Sequence, residues 1–70
     1  MRVTYDRQVD AAYLSLTDEE LEPGRSTVDL GASGMSDFLL DLKDGKLVGI
    51  EVLGASEHLP ADLLARAEPA

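Results

Sequence analysis

Apolar and polar residues alternate with a period of two in several stretches of the chain, the pattern of half-buried β-strands. Arg2 to Tyr5 and Ala11 to Leu16 are β-compatible runs separated by the polar cluster Asp6-Arg7-Gln8, with Val9 and Asp10 after it, and together they predict a hairpin. In the second run Ala12, Leu14 and Leu16 form an apolar side against the mixed side of Ala11, Tyr13 and Ser15. Ser26 to Leu30 is a less regular strand pattern, followed by the connector Gly31-Ala32-Ser33-Gly34. The clearest alternation comes next. Phe38, Leu40 and Leu42 alternate with Leu39 and Asp41, Lys43-Asp44-Gly45-Lys46 turns the chain, and Val48, Ile50 and Val52 alternate with Leu47, Gly49 and Glu51.

The apolar pattern of this second hairpin constrains its register. A two-residue turn of Asp44 and Gly45 would set Lys43 opposite Lys46 and Phe38 opposite Glu51, which places the apolar side of one strand beside the polar side of the other. A three-residue loop with Gly45 in the left-handed conformation of a G1 bulge pairs Leu42 with Lys46, Leu40 with Val48 and Phe38 with Ile50, and all six apolar residues then share one side. The expectation is therefore the three-residue loop, with a positive φ at Gly45.

After Leu53 the alternation breaks at Gly54. Pro60 suits the first turn of a helix, where its missing N–H is not needed, and residues 60–67 read as a short helix with Leu59, Leu63 and Leu64 as its apolar stripe. Asp62 near its start and Arg66 near its end complement the helix dipole and form an i, i+4 pair. Two turns of helix are not stable alone in water and must dock on the sheet. The predicted fold class is α+β: an antiparallel β-meander of four to five short strands with one short C-terminal α-helix, in one domain spanning residues 1–70. No internal repeat interrupts it.

Composition narrows the function classes. The 70 residues include 14 acidic and 6 basic side chains, for a formal charge of −8, and no cysteine and a single histidine. Zinc fingers, zinc ribbons and disulfide scaffolds are excluded on ligand count. The basic residues Arg2, Arg7, Arg25, Lys43, Lys46 and Arg66 are scattered singly, so neither nucleic acid nor a membrane surface is an expected partner. No run approaches the ~18 apolar residues of a membrane span, and Met1-Arg2 leads straight into strand-like residues, so a cytoplasmic location is expected. A chain of this size buries only about 60% of its unfolded surface, which makes help from a second copy plausible. Thr17 to Gly24 is the most acidic stretch, with Asp18, Glu19, Glu20 and Glu22. It reads as a solvated loop, with Thr17 and Glu20 spaced for a capping box, or as a docking surface for a basic partner protein.

Candidate chemistry is sparse. His58 has Ser56 two residues before it and Asp62 four after, but one histidine without a strand-to-helix elbow does not make a nucleophilic triad. Asp6 and Asp10 bracket the first turn, and Asp37, Asp41 and Asp44 surround the second hairpin. Oxygen clusters of this kind can hold Mg²⁺ or Ca²⁺, yet aspartate is equally a turn residue. A calcium loop read from Leu40 puts Gly45 and Glu51 at suitable positions but leaves Leu40 and Leu42 where ligands are required. No phosphate-cradling glycine motif is present. Tyr5 and Tyr13 are two of three aromatic residues, each suited to a binding face or to the edge of a core. The sequence implies no cofactor.

Tyr5-Asp6, Asp10-Ala11 and Tyr13-Leu14, taken with Gly49-Ile50-Glu51-Val52-Leu53 and Ala55-Ser56, resemble the domain-of-unknown-function 2283 family of small prokaryotic proteins. The matching core spans residues 3–56, while the acidic loop from Thr17 to Asp37 and the extension from Leu59 depart from the pattern. The resemblance implies a small β-rich meander with a short helix, often associating as dimers, with no established activity. It also admits an antitoxin-like role, since some members lie beside genes for toxin-like proteins. Tyr5, Asp6, Asp10, Tyr13, Glu51 and Ser56 are the motif positions, with no catalytic role to carry over.

The expected function is a non-enzymatic, homodimeric protein-interaction module. The sheet is expected to carry two apolar sides, the second formed partly by Leu39, Leu47, Ala11 and Tyr13, and one short helix covers only one of them. The alternatives are an acidic antagonist of a basic partner protein, acting through Asp18 to Glu22, and a metal- or ligand-binding protein using Asp6, Asp10 and Glu51.

Overall fold

The first hairpin forms where the alternation places it. Strands β1 (Arg2–Asp6) and β2 (Ala11–Ser15) pair antiparallel, with Val3 opposite Leu14 and Tyr5 opposite Ala12. The structure, a computed structural model, describes residues 1–19, 26–29 and 37–70. Within them follow β3 (Ser26–Asp29), β4 (Phe38–Lys43), β5 (Lys46–Leu53), helix α1 (Ala55–His58), helix α2 (Ala61–Arg66) and the two-residue strand β6 (Glu68–Pro69). The result is a mixed α+β fold with one sheet in the order β3-β4-β5-β2-β1-β6. The meander is thus broken twice: β2 pairs with β5 across the sequence, setting the first hairpin beside the second, and β6 returns to pair in parallel with β1. Leu30, the connector 31–34 and most of the acidic stretch lie outside the described residues.

The second hairpin departs from the expected loop. It closes with the two-residue turn Asp44-Gly45, so that Lys43 lies opposite Lys46 and Leu42 opposite Leu47. Both central residues have positive φ, 52° at Asp44 and 77° at Gly45, as a type I′ turn requires. Asp-Gly is a preferred pair for that turn, whose twist matches the flanking strands, and this local chemistry prevails over the three-residue loop. The apolar side is recovered further on. The register shifts between Asp41 and Leu42, where β5 contributes Val48 as an extra residue, and beyond the shift Leu40 faces Ile50 and Phe38 faces Val52. Beyond the shift the expected partners are displaced by two residues, which leaves the faces of Phe38, Leu40, Ile50 and Val52 unchanged, whereas Leu47, expected on the mixed side, comes to lie opposite Leu42 on the apolar side.

Taken together, the strand registers define rows of side chains running across the sheet. On one face Tyr5, Ala12, Val52 and Phe38 form a row, and Val3, Leu14, Ile50, Leu40 and Val28 form the next. The opposite face carries Thr4, Tyr13, Glu51, Leu39 and Asp29, and then Arg2, Ser15, Gly49, Asp41 and Thr27. The expectation of a second apolar side is therefore overturned. Tyr13 shares its face with acids and hydroxyls, Leu47 is on the other side, and the apolar positions that remain are Leu39, Ala11 and Leu53, the last opposite Ala11.

Both helices lie on the apolar face. Ala55 of α1 and Leu64 of α2 are buried with Ala12 and Val52, and Tyr5, Leu14, Phe38, Ile50 and Leu59 pack around these four. Helix α1 was not anticipated: four residues after Gly54 are too few for a periodic signal, and tertiary contacts hold them. Its anchor is the Ala55 N–H, which donates to the Asp10 carbonyl at 2.9 Å. Pro60 is the N-cap of α2 rather than a residue of its first turn, its carbonyl accepting from the Leu63 and Leu64 N–H groups. Asp62 and Arg66 form the expected ion pair at 3.2 Å, both side chains being exposed. After Ala67 the chain turns extended and runs parallel to β1, with Glu68 opposite Thr4.

Candidate functional site

Asp10 is the hub of the first polar cluster. The turn after β1 begins with Asp6, whose Oδ1 accepts the Gln8 N–H at 2.9 Å, a local aspartate turn. It ends with Asp10 in the left-handed region at φ 53°, a conformation aspartate tolerates better than most residues. There the Asp10 carboxylate meets both its own hairpin and α1. Oδ1 accepts the Tyr5 hydroxyl at 2.6 Å and the Ser56 N–H at 3.0 Å, and Oδ2 accepts the Ser56 hydroxyl at 2.7 Å. Three of the six motif positions are thus brought to one carboxylate. Asp6 is excluded from it by its own turn, although the Arg7 guanidinium beside it lies 5.4 Å from the Tyr5 ring centre.

These bonds set the titration of the cluster. The Ser56 hydroxyl, then the Tyr5 hydroxyl and the Ser56 N–H, hold the Asp10 carboxyl below its ordinary value, assisted by the charge of His58. The same Asp10 bond, together with desolvation, raises the Tyr5 phenol above its ordinary value. A carboxylate made less basic is a poor general base, and a phenol made less acidic is a poor nucleophile. The chemistry of the cluster is that of a clasp between the β1–β2 turn and α1.

A second cluster lies on the opposite face. Asp41, 6% exposed in the middle of β4, accepts the Tyr13 hydroxyl at 2.8 Å and the Thr27 hydroxyl at 2.7 Å. These bonds tie together β2, β4 and β3. Tyr13 reaches Asp41 by lying across Gly49 of the intervening strand, where a Cβ would overlap the phenol ring and hydroxyl. Gly49 is required there by close approach, with no unusual backbone angle. Asp41 and Thr27 are the residues that sequence reasoning missed as partners of Tyr13. The available signal was the acid at the centre of an apolar strand, in phase with Leu39 and not with Leu40.

The remaining candidates separate. Ser56 is bound to Asp10 and Asp62 to Arg66, so neither meets His58. His58 sits at the end of α1 with Nε2 2.9 Å from Asp37 Oδ2 and its ring 4.9 Å from that of Phe38. Glu51 is exposed in the middle of β5, opposite Tyr13, and neither caps a strand end nor joins the Asp10 cluster. Asp37, Asp41 and Asp44 are divided among a histidine contact, a buried network and a turn. Among the described residues no three acidic or histidine side chains gather as metal ligands would, and no buried side-chain polar atom lacks a hydrogen-bond partner.

Of the motif residues, Tyr5, Asp10 and Ser56 fall in one network and Tyr13 and Gly49 in the other, while Asp6 serves its own turn and Glu51 is exposed. Searches of curated proteins and of solved structures found no match. The family model described as protein of unknown function (DUF2283) matches residues 2–56, the segment that contains both networks and all of β1 to β5, and the chain belongs to that family.

Proposed function

We propose that the protein is a non-enzymatic interaction module that works as a homodimer. The observation that carries this reading is the incomplete cover on the apolar face. Among the described residues the buried apolar cluster contains Ala12, Val52, Ala55 and Leu64, while Leu16, Val28 and Leu47 are exposed to about 40%. With Val52 and Leu64 as the sizeable aliphatic side chains buried among the described residues, the core is thin, and domains of this size commonly draw stability from association. The polar clusters support the non-enzymatic half of the reading. Their hydroxyls and carboxylates are bonded to each other, and Asp10 and Tyr5 titrate away from neutrality rather than toward it. Light scattering after size exclusion tests the proposal. The expected species at micromolar concentration has a mass of about 15 kDa, twice the 7.5 kDa of the chain, and a folded monomer alone overturns it.

A second reading, an acidic antagonist of a basic partner protein, draws on the exposure of Asp18 and Glu19 and on the net charge of −8. Its mark is association that accelerates at low salt. Replacing both acids by their amides then slows binding, and an unchanged rate counts against it.

A further inference from the structure

The outer edge of β1 is closed by the chain's own C-terminal segment. In an antiparallel hairpin every second residue turns its N–H and C=O toward the partner strand, and the residues between turn theirs outward. In β1 the outward set is Val3 and Tyr5, because the Tyr5 carbonyl accepts the Ala70 N–H at 3.2 Å on the side away from β2. Strand β6 runs beside these two residues, with Glu68 opposite Thr4 and Pro69 opposite Tyr5. The same alternation holds within β6. Ala70 turns its N–H to β1, so its neighbour Pro69 turns its backbone away, to the side where a further strand would need a donor. Proline has none to give. We propose that β6 is an edge guard, a strap that covers the β1 edge against strand addition and presents a proline in its place.

The chemistry of β1 calls for such a cover. Val3, Thr4 and Tyr5 are β-branched and aromatic residues in succession, the types that favour extended pairing, and an unpaired edge of that kind templates association with other chains. The strap is moored at both ends. The Arg2 guanidinium meets the Glu68 carboxylate at 2.8 Å, which ties the start of β1 to the start of β6, and the Ala70 bond to Tyr5 holds the far end. Helix α2 delivers it. Leu64 is buried against the sheet, and at Ala67 the backbone passes from helix to extended, φ −68° and ψ 148°, on a course parallel to β1. One short helix thus has two tasks, covering the apolar face and setting the strap in register. Both α2 and β6 follow the residues 2–56 that match the family model, so the guard belongs to the extension. A two-residue ladder and an exposed ion pair make a weak hold, and small changes are enough to release it.

Arg2, Glu68, Pro69 and Ala70 are all exposed, so substitutions there spare the core. Glu68→Arg combined with Ala70→Pro sets a second cation beside Arg2 and removes the donor to Tyr5, which releases the strap. Hydrogen exchange at the Tyr5 amide is expected to accelerate by roughly tenfold or more while the far-ultraviolet circular dichroism is kept. The mass from light scattering should then climb with concentration above that of the wild type, with thioflavin T binding. Adding Arg2→Glu restores an ion pair of reversed sense and brings both readouts part of the way back. Glu51→Arg makes the same change of charge away from the edge and leaves the wild-type mass. Pro69→Val keeps the strap and supplies the outward donor, so that the mass grows while Tyr5 exchange stays slow. Fast exchange in the release variant without growth in mass overturns the guard. Exchange at the wild-type rate overturns it as well, since β6 would then not be what covers the edge, and a Pro69→Val protein at the wild-type mass throughout removes the proline from the device. Each readout is taken against the wild type, whether that is a monomer or a dimer, so the result is independent of the homodimeric reading.

Discussion

Phe38 and Leu40 stand two residues apart on one strand and point to the same side of the sheet, yet their surroundings differ. Phe38 belongs to the row with Tyr5, Ala12 and Val52, over which Ala55 and Leu64 close and to which the Asp10 clasp fastens α1. Leu40 belongs to the next row, of which Leu14 and Ile50 pack against the buried cluster and Leu40 does not. The comparison shows how a 70-residue chain divides its labour. Two helices of four and six residues can shield one row of a sheet. Among the described residues, the buried side chains are concentrated at that end.

The strongest test of this division is Leu64→Ala. Leu64 is 7% exposed and is the principal side chain by which α2 meets the sheet. Its truncation is expected to destabilise by about 2 to 5 kcal/mol, a large part of the whole for so small a domain. Urea denaturation followed by circular dichroism should show the same loss at low and high protein concentration. A loss that vanishes at high concentration would move Leu64 into the shared interface and break the comparison.

Next in size is Gly49→Ala, which leaves both apolar rows untouched. The added methyl displaces the Tyr13 phenol from the buried Asp41, and overpacking together with a lost bond to a buried carboxylate is expected to cost about 1 to 3 kcal/mol. Tyr13→Phe removes the same bond, so the double variant should lose less than the two single losses combined. Simple additivity would show that the glycine acts through some other contact.

Leu40→Ala separates the two rows directly. In a full core this truncation costs about 2 to 5 kcal/mol. Leu40 is half-buried in the single chain, so at nanomolar concentration the expected loss is only about 1 to 2 kcal/mol. Where the proposed homodimer covers Leu40, the loss grows toward the full-core range as concentration rises. A loss independent of concentration would mean that Leu40 has no partner beyond its own chain.

Much of this division could be read from the alternation of residues, because which face a side chain takes depends only on parity. The hairpin partners Leu40 and Val48 were expected and Leu40 and Ile50 are found, yet the apolar side contains the same Phe38, Leu40, Ile50 and Val52. The location of the irregularity was not legible, since a bulge in the turn and a bulge at Val48 restore the same parity. Asp44-Gly45 favours the tighter turn, and that local preference decided between them. The Asp10 clasp was partly legible: Tyr5, Asp10 and Ser56 stood out as a set, but their meeting depends on α1 folding back over the turn. The Asp41 network depends on β2 lying against β5, a pairing of distant segments that no local pattern reports. The mixed side of β2 reads as partly apolar for that reason, because Tyr13 counts as apolar until its hydroxyl has a partner.

The smallest expected effect concerns the lid itself and reads through pH. Asp10 carries its carboxyl below the ordinary carboxylate value in the folded chain, chiefly through the Ser56 hydroxyl and then through Tyr5. Between the native and unfolded values the unfolded chain binds more protons, so stability rises with pH there. The contribution is complete above the ordinary value of about 4 and disappears as pH falls through the native one. Tyr5 works in the opposite sense at the other extreme: its raised phenol contributes below its ordinary value of about 10 and the contribution is lost as pH rises through the native one. Asp10→Asn keeps an acceptor and tolerates the left-handed backbone, but it cannot titrate. The difference in urea midpoint between wild type and variant should therefore be largest near neutrality and shrink toward pH 3. Parallel profiles would mean that the Asp10 charge does not hold the helix. The covered row would then owe its lid to the packing of Ala55, Leu59 and Leu64 and to the Ala55 N–H bond to the Asp10 carbonyl.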